Sequence, residues 1–289
     1  MILRTDLALE NREAEGSRGL HQRDQDGCRV TTLVVEKQEE SRYQKPQGTY
    51  ITVEMEPFSD HLDRENRYRK IVTEELKKLL PMRGTVLVAG LGNREITPDA
   101  LGPKTADRVL ATRHIVGELQ RLTGNDYFRP VVTVTPNVLG NTGMEAAELL
   151  SSLTKHLKPS AVIVVDALAS RSLHRLGCTV QLSDGGIAPG SGVGNTRPAI
   201  NREILGVPVI AIGVPTVVDA VTLASELLEE NGIPFSLPTA HRVSPRGAQM
   251  VVTPREIDLL IDRAASLVSM AINISLNPTL DAEIFAELI

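Results

Sequence analysis

Four aspartates in this chain follow apolar runs or stand beside glycine-rich turns. Asp99 ends the stretch VLVAGLGNREITPD, and Asp166 follows four apolar residues in VIVVDA. Asp184 opens DGGIAPGSGVGN, and Asp219 ends VIAIGVPTVVD. An unpaired ion next to such apolar runs is expensive. Two carboxylates held close cannot both ionise cheaply, so one pKa falls, the other rises, and the pair shares a proton. Such a pair can draw a proton from water and give one to a carbonyl oxygen or a leaving amine. A hydrolase can attack a peptide bond in this way without serine, cysteine or metal. Plain structural roles stand beside this one. Asp219 reads as a helix cap, Asp184 before Gly-Gly as a turn former, and Asp99 and Asp166 can also cap or turn. Asp99 and Asp166 are the favoured pair, because neighbouring parallel strands can bring their ends together. Glycines at 90, 92 and 102 would let the backbone approach closely.

Other chemistries find less support. Gly90-Leu91-Gly92 lacks the remaining glycine of a dinucleotide fingerprint. The run from Gly190 to Gly194 can form an anion nest, but no lysine follows in the P-loop position. There is no G-x-S-x-G elbow. Ser152 and Lys155 fit S-x-x-K, yet they lie on an amphipathic helix-like stretch. The histidines, His21, His61, His114, His156, His174 and His241, are scattered without paired spacing, so no zinc site is expected. Asn93 and Asn195 after glycine read as turn residues. Cys28 and Cys178 are the two cysteines, too few for a disulfide framework, and they fit a reducing cytoplasm. Cys178 opens a strand and reads as core.

The elements that must position these groups form an α/β pattern. With 289 residues, 42% hydrophobic and 23% charged, the chain can bury the core of one large domain or two small ones. It has no tryptophan, four tyrosines and four phenylalanines, so the core must be aliphatic. The net charge of −5 argues against nucleic acid as a direct partner. The N-terminus lacks an apolar signal region, and no unbroken apolar run of ~18 residues occurs, so no membrane association is expected. Residues 1–60 form a polar N-terminal region with strand-like CRVTTLVVEK and YITVEM, and 61–289 read as a single α/β catalytic domain. HLDRENRYRKIVTEELKKLL is an amphipathic helix ended by Pro81. Strands are expected at 86–90, 131–135, 161–166, 178–182 and 207–213, and helices at 104–119, 142–157, 216–231 and 254–276. This alternation predicts a mainly parallel twisted sheet with helices on both faces, its C-terminal strand ends along one edge.

Seven stretches then carry a family resemblance: RTDLALE, GLGNREITPDALGP, YFRPVVTVTPNVLGNTGMEA, VDALASRS, QLSDGGIAPGSGVGN, GVPVIAIGVPTVVDA and MVVTPREID. Over nearly its whole length the chain resembles the germination protease, or spore protease, family of spore-forming Firmicutes. That family is also similar in fold to hydrogenase-maturation endopeptidases, which carry an acid after a G-x-G-N loop and an aspartate at the end of a V-D-A strand, and whose acids bind nickel. The match lands on Asp99 and Asp166. The resemblance implies an atypical aspartic-type endopeptidase with those two as its catalytic pair, no cofactor and no metal. It implies small acid-soluble spore proteins as substrates, a zymogen that removes its own propeptide, a homotetramer, and a place in the cytoplasm of the spore core.

RTDLALE is similar to the Thr-Glu-Phe-Ala-Ser-Glu site cut in the substrates, so Thr5, Asp6, Leu7, Ala8, Leu9 and Glu10 are the expected propeptide cleavage region. Three residues precede that stretch, and the segment between Leu228 and Met250 is shorter than the insertion of Bacillus members. Gly185, Gly186, Ser191 and Gly192 are candidates to hold an oxyanion or the substrate backbone. Asp184 and Asp219 rank behind them as orienting or substrate-binding groups. Arg171 and Arg197 are candidates to attract acidic substrate side chains. The alternative is a metal-dependent hydrolase or maturation-type endopeptidase with the same acids as ligands.

Overall fold

A computed structural model describes residues 5–14, 20–60, 63, 66–117, 128–194, 197–233 and 250–277. His61, Asn195 and His241 lie outside the described residues, as does most of the short segment after Leu228. One nine-stranded sheet runs through the molecule in the order β1-β2-β3-β7-β8-β6-β4-β5, with β9 on β8. The strands are β1 (His21–Gln25), β2 (Cys28–Val35), β3 (Gly48–Glu54), β4 (Val86–Gly90), β5 (Val131–Val134), β6 (Ala161–Ser170), β7 (Thr179–Ser183), β8 (Val209–Asp219) and β9 (Val251–Val252).

The core of the sheet is parallel: β5-β4, β4-β6 and β6-β8. These strands are Val-, Ile- and Ala-rich because helices cover both faces and leave no wet side. On one face pack α3 (Arg67–Leu79), α4 (Leu101–Asp107) and α7 (Ile257–Leu276), around Val88, Ile163, Val165 and Ile212. On the other, α5 (Ala146–Leu157) covers Leu87, Ala89, Val162 and Val164. The expected α/β class, with its parallel core, is therefore observed.

Two expectations need correction. The strand at 178–182 is β7 (Thr179–Ser183), and it runs antiparallel to β8 and to β3. Only a short loop containing the turn Leu173–Arg175 joins β6 to β7. That is less than the dozen or more residues a parallel return needs, so the chain reverses. Through β3 the polar front of the chain adds three antiparallel strands to the same sheet. The second concerns the expected helix at 216–231: β8 runs on through Asp219, and the helix begins only at Ala220. α7 is 20 residues long with mean hydropathy 1.5, long and apolar enough to cross a membrane by length and composition. Here it is a core helix, 67% of that window buried, with Leu260, Ile261, Ala264 and Val268 against the sheet side of the core.

α1 (Ala8–Ala14) and α2 (Glu40–Tyr43) lie at the antiparallel wing. Ala8 joins Leu33, Val35, Tyr43 and Tyr50 in a small separate cluster. The first described residues are thus built into the molecule: Leu7 and Ala8 are 0% exposed.

Candidate active site

Asp99 ends the single 3-10 turn Thr97–Asp99 that follows β4. Asp166 is the sixth residue of β6, in register with Gly213 of β8. The two are brought together by a tight backbone crossing. Gly92 sits at φ +104°, and a Cβ there would collide with the Asp99 carbonyl. A Cβ on Gly102 would strike the backbone of Leu91 and Val165. Only glycine permits both approaches. Thr216 Oγ1 donates to the Pro98 carbonyl at 2.8 Å and ties the Asp99 turn to β8.

The two carboxyls are sparingly solvated. Asp99 accepts one backbone hydrogen bond, from Asn93 N–H at 2.7 Å. Burial raises its pKa, and that bond partly offsets the rise. Asp166 is 5% exposed and accepts from the N–H of Ala167 at 3.0 Å. Burial first, then the charges of Asp99 and Asp6, push its pKa well above the usual carboxylate range. The charge of Asp99 thus bears directly on the Asp166 carboxyl.

Both line a cavity of about 350 Å³ with Asp6, Leu91, Asn137, Leu168, Pro189 and Arg197. Asp6 belongs to the N-terminal segment, and its carboxylate is fully engaged. It accepts from Ser191 Oγ at 2.6 Å, Gly192 N–H at 2.8 Å and Ala169 N–H at 2.8 Å. A Cβ on Gly192 would overlap the Asp6 carboxylate, which explains glycine at that place in the loop. The glycine run therefore does hold a carboxyl group, and it is a side chain of this same chain. Asp6 N–H donates to the Ala169 carbonyl at 2.8 Å. Its own carbonyl accepts from Lys45 Nζ at 2.8 Å and Gln181 Nε2 at 3.2 Å, while Ala8 N–H donates to Gln181 Oε1 at 2.8 Å. Burial pulls the Lys45 pKa down, against the pull of Asp6 and Glu10.

Four residues on, Glu10 is 3% exposed and accepts from Arg171 N–H at 2.6 Å, Ser172 N–H at 3.0 Å and the Thr5 hydroxyl. Arg175 stands 3.7 Å away. Burial still raises the Glu10 pKa.

The remaining candidates fall around this site unevenly. Arg171 meets Glu10 through its backbone, and its guanidinium pairs with Glu229 at 3.5 Å. Arg197 lines the cavity and pairs with Glu145 at 3.3 Å. Gly186 borders a smaller pocket that Asp6 also lines, with Lys45, Tyr50 and Gln181. Gly185 N–H donates to Ser183 Oγ at 2.9 Å. Asp184 is exposed and accepts from Thr49 N–H at 2.6 Å, bracing the start of β3. Asp219 caps α6 (Ala220–Glu230), accepting from Val221 and Thr222 N–H. Cys178 is buried with its thiol pKa pushed up to about 11. Ser152 is exposed on α5 and donates to the Glu148 carbonyl at 3.1 Å. Among the described residues, no three His, Cys, Asp or Glu are grouped to hold a metal ion. Lys45 and Arg175 stand in no quoted motif, and Gln181 opens QLSDGGIAPGSGVGN without a role that its type or spacing assigns. They lie on the antiparallel wing and the β6–β7 loop, and only the fold brings them to residues 5–10.

The family model for the germination protease matches residues 4–230. The chain belongs to the germination protease family. It is accordingly a protease, a hydrolase of peptide bonds with a role in spore germination. Curated relatives of that name agree. The germination protease of Caldanaerobacter subterraneus is 41% identical over 96% of this chain and 95% of its own. That of Clostridium perfringens is 36% identical over 97% of each. That of Bacillus velezensis is 35% identical over 96% of this chain and 94% of its own. Among solved structures, the [NiFe] hydrogenase maturation protease HycI from Thermococcus kodakarensis matches with a TM-score of 0.37 and 18% identity, over 68% of this chain and 97% of that one.

Proposed function

We propose that this protease is of the aspartic type, that Asp99 and Asp166 activate the attacking water, and that residues 5–10 are its own first substrate. One observation carries this reading: Asp6 of the docked N-terminal segment lines the same cavity as Asp99 and Asp166. The burial of Leu7, Ala8 and Glu10 supports it, since a frayed terminus would leave them wet.

The unequal surroundings suggest a division of labour. Asp166, the more buried, keeps the shared proton, while Asp99, helped by the Asn93 N–H, is the ionised partner. The water oxygen bonds to the scissile carbonyl carbon as one water proton passes to Asp99. The carbonyl oxygen takes up the electron pair. On collapse the C–N bond breaks, and the nitrogen leaves with its electron pair and takes the proton of Asp166. The pair ends with one proton, as it began, and the products are a carboxylic acid and an amine. No metal enters this scheme.

The natural substrates we propose are small acid-soluble spore proteins, whose cut site has the acidic and apolar order that residues 5–10 present. The test is incubation of the purified chain at mildly acidic pH, with mass spectrometry of its N-terminus and of an added acid-soluble spore protein. Loss of the N-terminal residues and cutting of the added protein are expected. Both should vanish in Asp99→Asn and Asp166→Asn, with folding intact. Cutting that stops with a chelator and returns with a divalent ion would favour the acids as metal ligands instead.

A further inference from the structure

We infer that Lys45 and Gln181 are catalytic: they form the clamp that takes up the negative charge on the Asp6 carbonyl oxygen when the N-terminal segment is cut. This rests on the reading of residues 5–10 as a self-substrate and adds the groups that polarise it.

The inference follows from how the segment is held. The Asp6 carbonyl accepts from two side chains, the Lys45 ammonium at 2.8 Å and the Gln181 amide at 3.2 Å. The same Gln181 amide also accepts from Ala8 N–H at 2.8 Å. One side chain therefore grips the chain on both sides of Leu7 and fixes the plane of the Asp6–Leu7 peptide. The remaining groups of Asp6 are pinned as well, its N–H on the Ala169 carbonyl and its carboxylate on Ser191, Gly192 and Ala169. Leu7 and Ala8 fill the buried side beyond the bond.

A lysine ammonium is a strong, strongly hydrated donor. Asp6 and Glu10 favour that charge, yet the atom it is aimed at is the Asp6 backbone carbonyl, an oxygen that gains negative charge only in the tetrahedral intermediate. Two donors at these distances, set before the reaction, are what a tetrahedral oxyanion requires. The glycine loop, which is the other source of donors, spends Ser191 and Gly192 on the Asp6 side chain. It thus selects the residue, while Lys45 and Gln181 act on its carbonyl. Asp6 borders both the cavity of Asp99 and Asp166 and the pocket of Lys45 and Gln181. Water and clamp then approach the residue from different sides.

The experiment follows release of residues 1–6 from the full chain by mass spectrometry, under single-turnover conditions. A synthetic peptide of residues 1–14 serves as the substrate in trans for the trimmed protein. Lys45→Met should slow self-trimming at Asp6–Leu7 by about 100-fold or more, and kcat on the peptide should fall with KM shifted far less. Gln181→Met, whose shape is close to glutamine, should show the same split more mildly. Thermal melting and peptide binding by each variant verify that it folds. If the wild type trims at Asp6–Leu7 while Lys45→Met trims as fast or faster, Lys45 merely anchors the segment and the clamp is wrong. If the wild type cuts at another bond, the clamp is also wrong. If the wild type leaves both its terminus and the peptide intact, the self-substrate reading itself fails and the clamp with it.

Discussion

The molecule treats its carboxylates in two opposite ways. In the antiparallel wing and the loops beside it, Asp6 and Glu10 are each met by three donors. Asp219, which caps a helix, is likewise met by two backbone N–H groups and a hydroxyl. At the edge of the parallel core, Asp99 and Asp166 have one backbone donor apiece among the described residues and line one cavity. A carboxylate surrounded by donors is fixed in one place and serves recognition or capping. A carboxylate starved of donors beside a second acid holds a proton and can pass it on. The first kind grips the N-terminal segment, and the second stands ready to cut it.

Several changes would break or sharpen this contrast. The largest effect belongs to the starved pair. Asp99→Asn or Asp166→Asn should reduce self-trimming by at least about 1,000-fold, read by N-terminal mass spectrometry. The same change at Asp219 should leave the chemistry in place and cost only the stability of a helix cap, about 1 kcal/mol by melting. Gly102→Ala forces a methyl into the backbone crossing that joins the two aspartates. Denaturant titration should show a loss of about 3 kcal/mol, with activity falling in step. Asp6→Ala removes three donors' target, and trimming should slow by about 10- to 100-fold. Trimming at the wild-type rate would show that the gripped carboxylate is not read.

A last effect is on the pH dependence of stability. Asp166 has a folded pKa above its unfolded value, so folding takes up a proton. Its contribution is intact below the ordinary carboxylate range and is lost as pH rises through that range toward its own raised value. Asp166→Asn should therefore match wild type in stability near pH 4 and gain on it by about 1.4 kcal/mol for each pH unit from there toward pH 7 for as long as Asp166 stays protonated. The order reversed, with the variant weaker at neutral pH, would mean that Asp166 is held as an anion after all.

Much of this contrast is legible in the residues themselves. β4 occupies its full expected span, 86–90, because a strand buried on both faces is an unbroken apolar run. The end of such a run also marks Asp166, and the clustered glycines mark Asp99. Direction is harder to read. Nothing in the residues of β7 tells parallel from antiparallel, and the length of the preceding loop is the one usable signal. α7 shows the limit of hydropathy, since a helix buried against two neighbours and one bound for lipid meet the same test. The contacts of Lys45, Gln181 and Arg175 with residues 5–10 are invisible in the sequence for a different reason. Their meaning arises from pairing β3 with β7 and laying residues 5–10 across them, and no local spacing encodes that contact.

The central claim is that a buried aspartate at the parallel edge keeps a proton which its neighbour lacks. Infrared difference spectroscopy on the folded chain at neutral pH tests it directly. The carbonyl stretch of a protonated carboxyl should be present in the wild type, persist in Asp219→Asn and disappear in Asp166→Asn. Its absence from the wild type, or its survival in Asp166→Asn, would contradict the account.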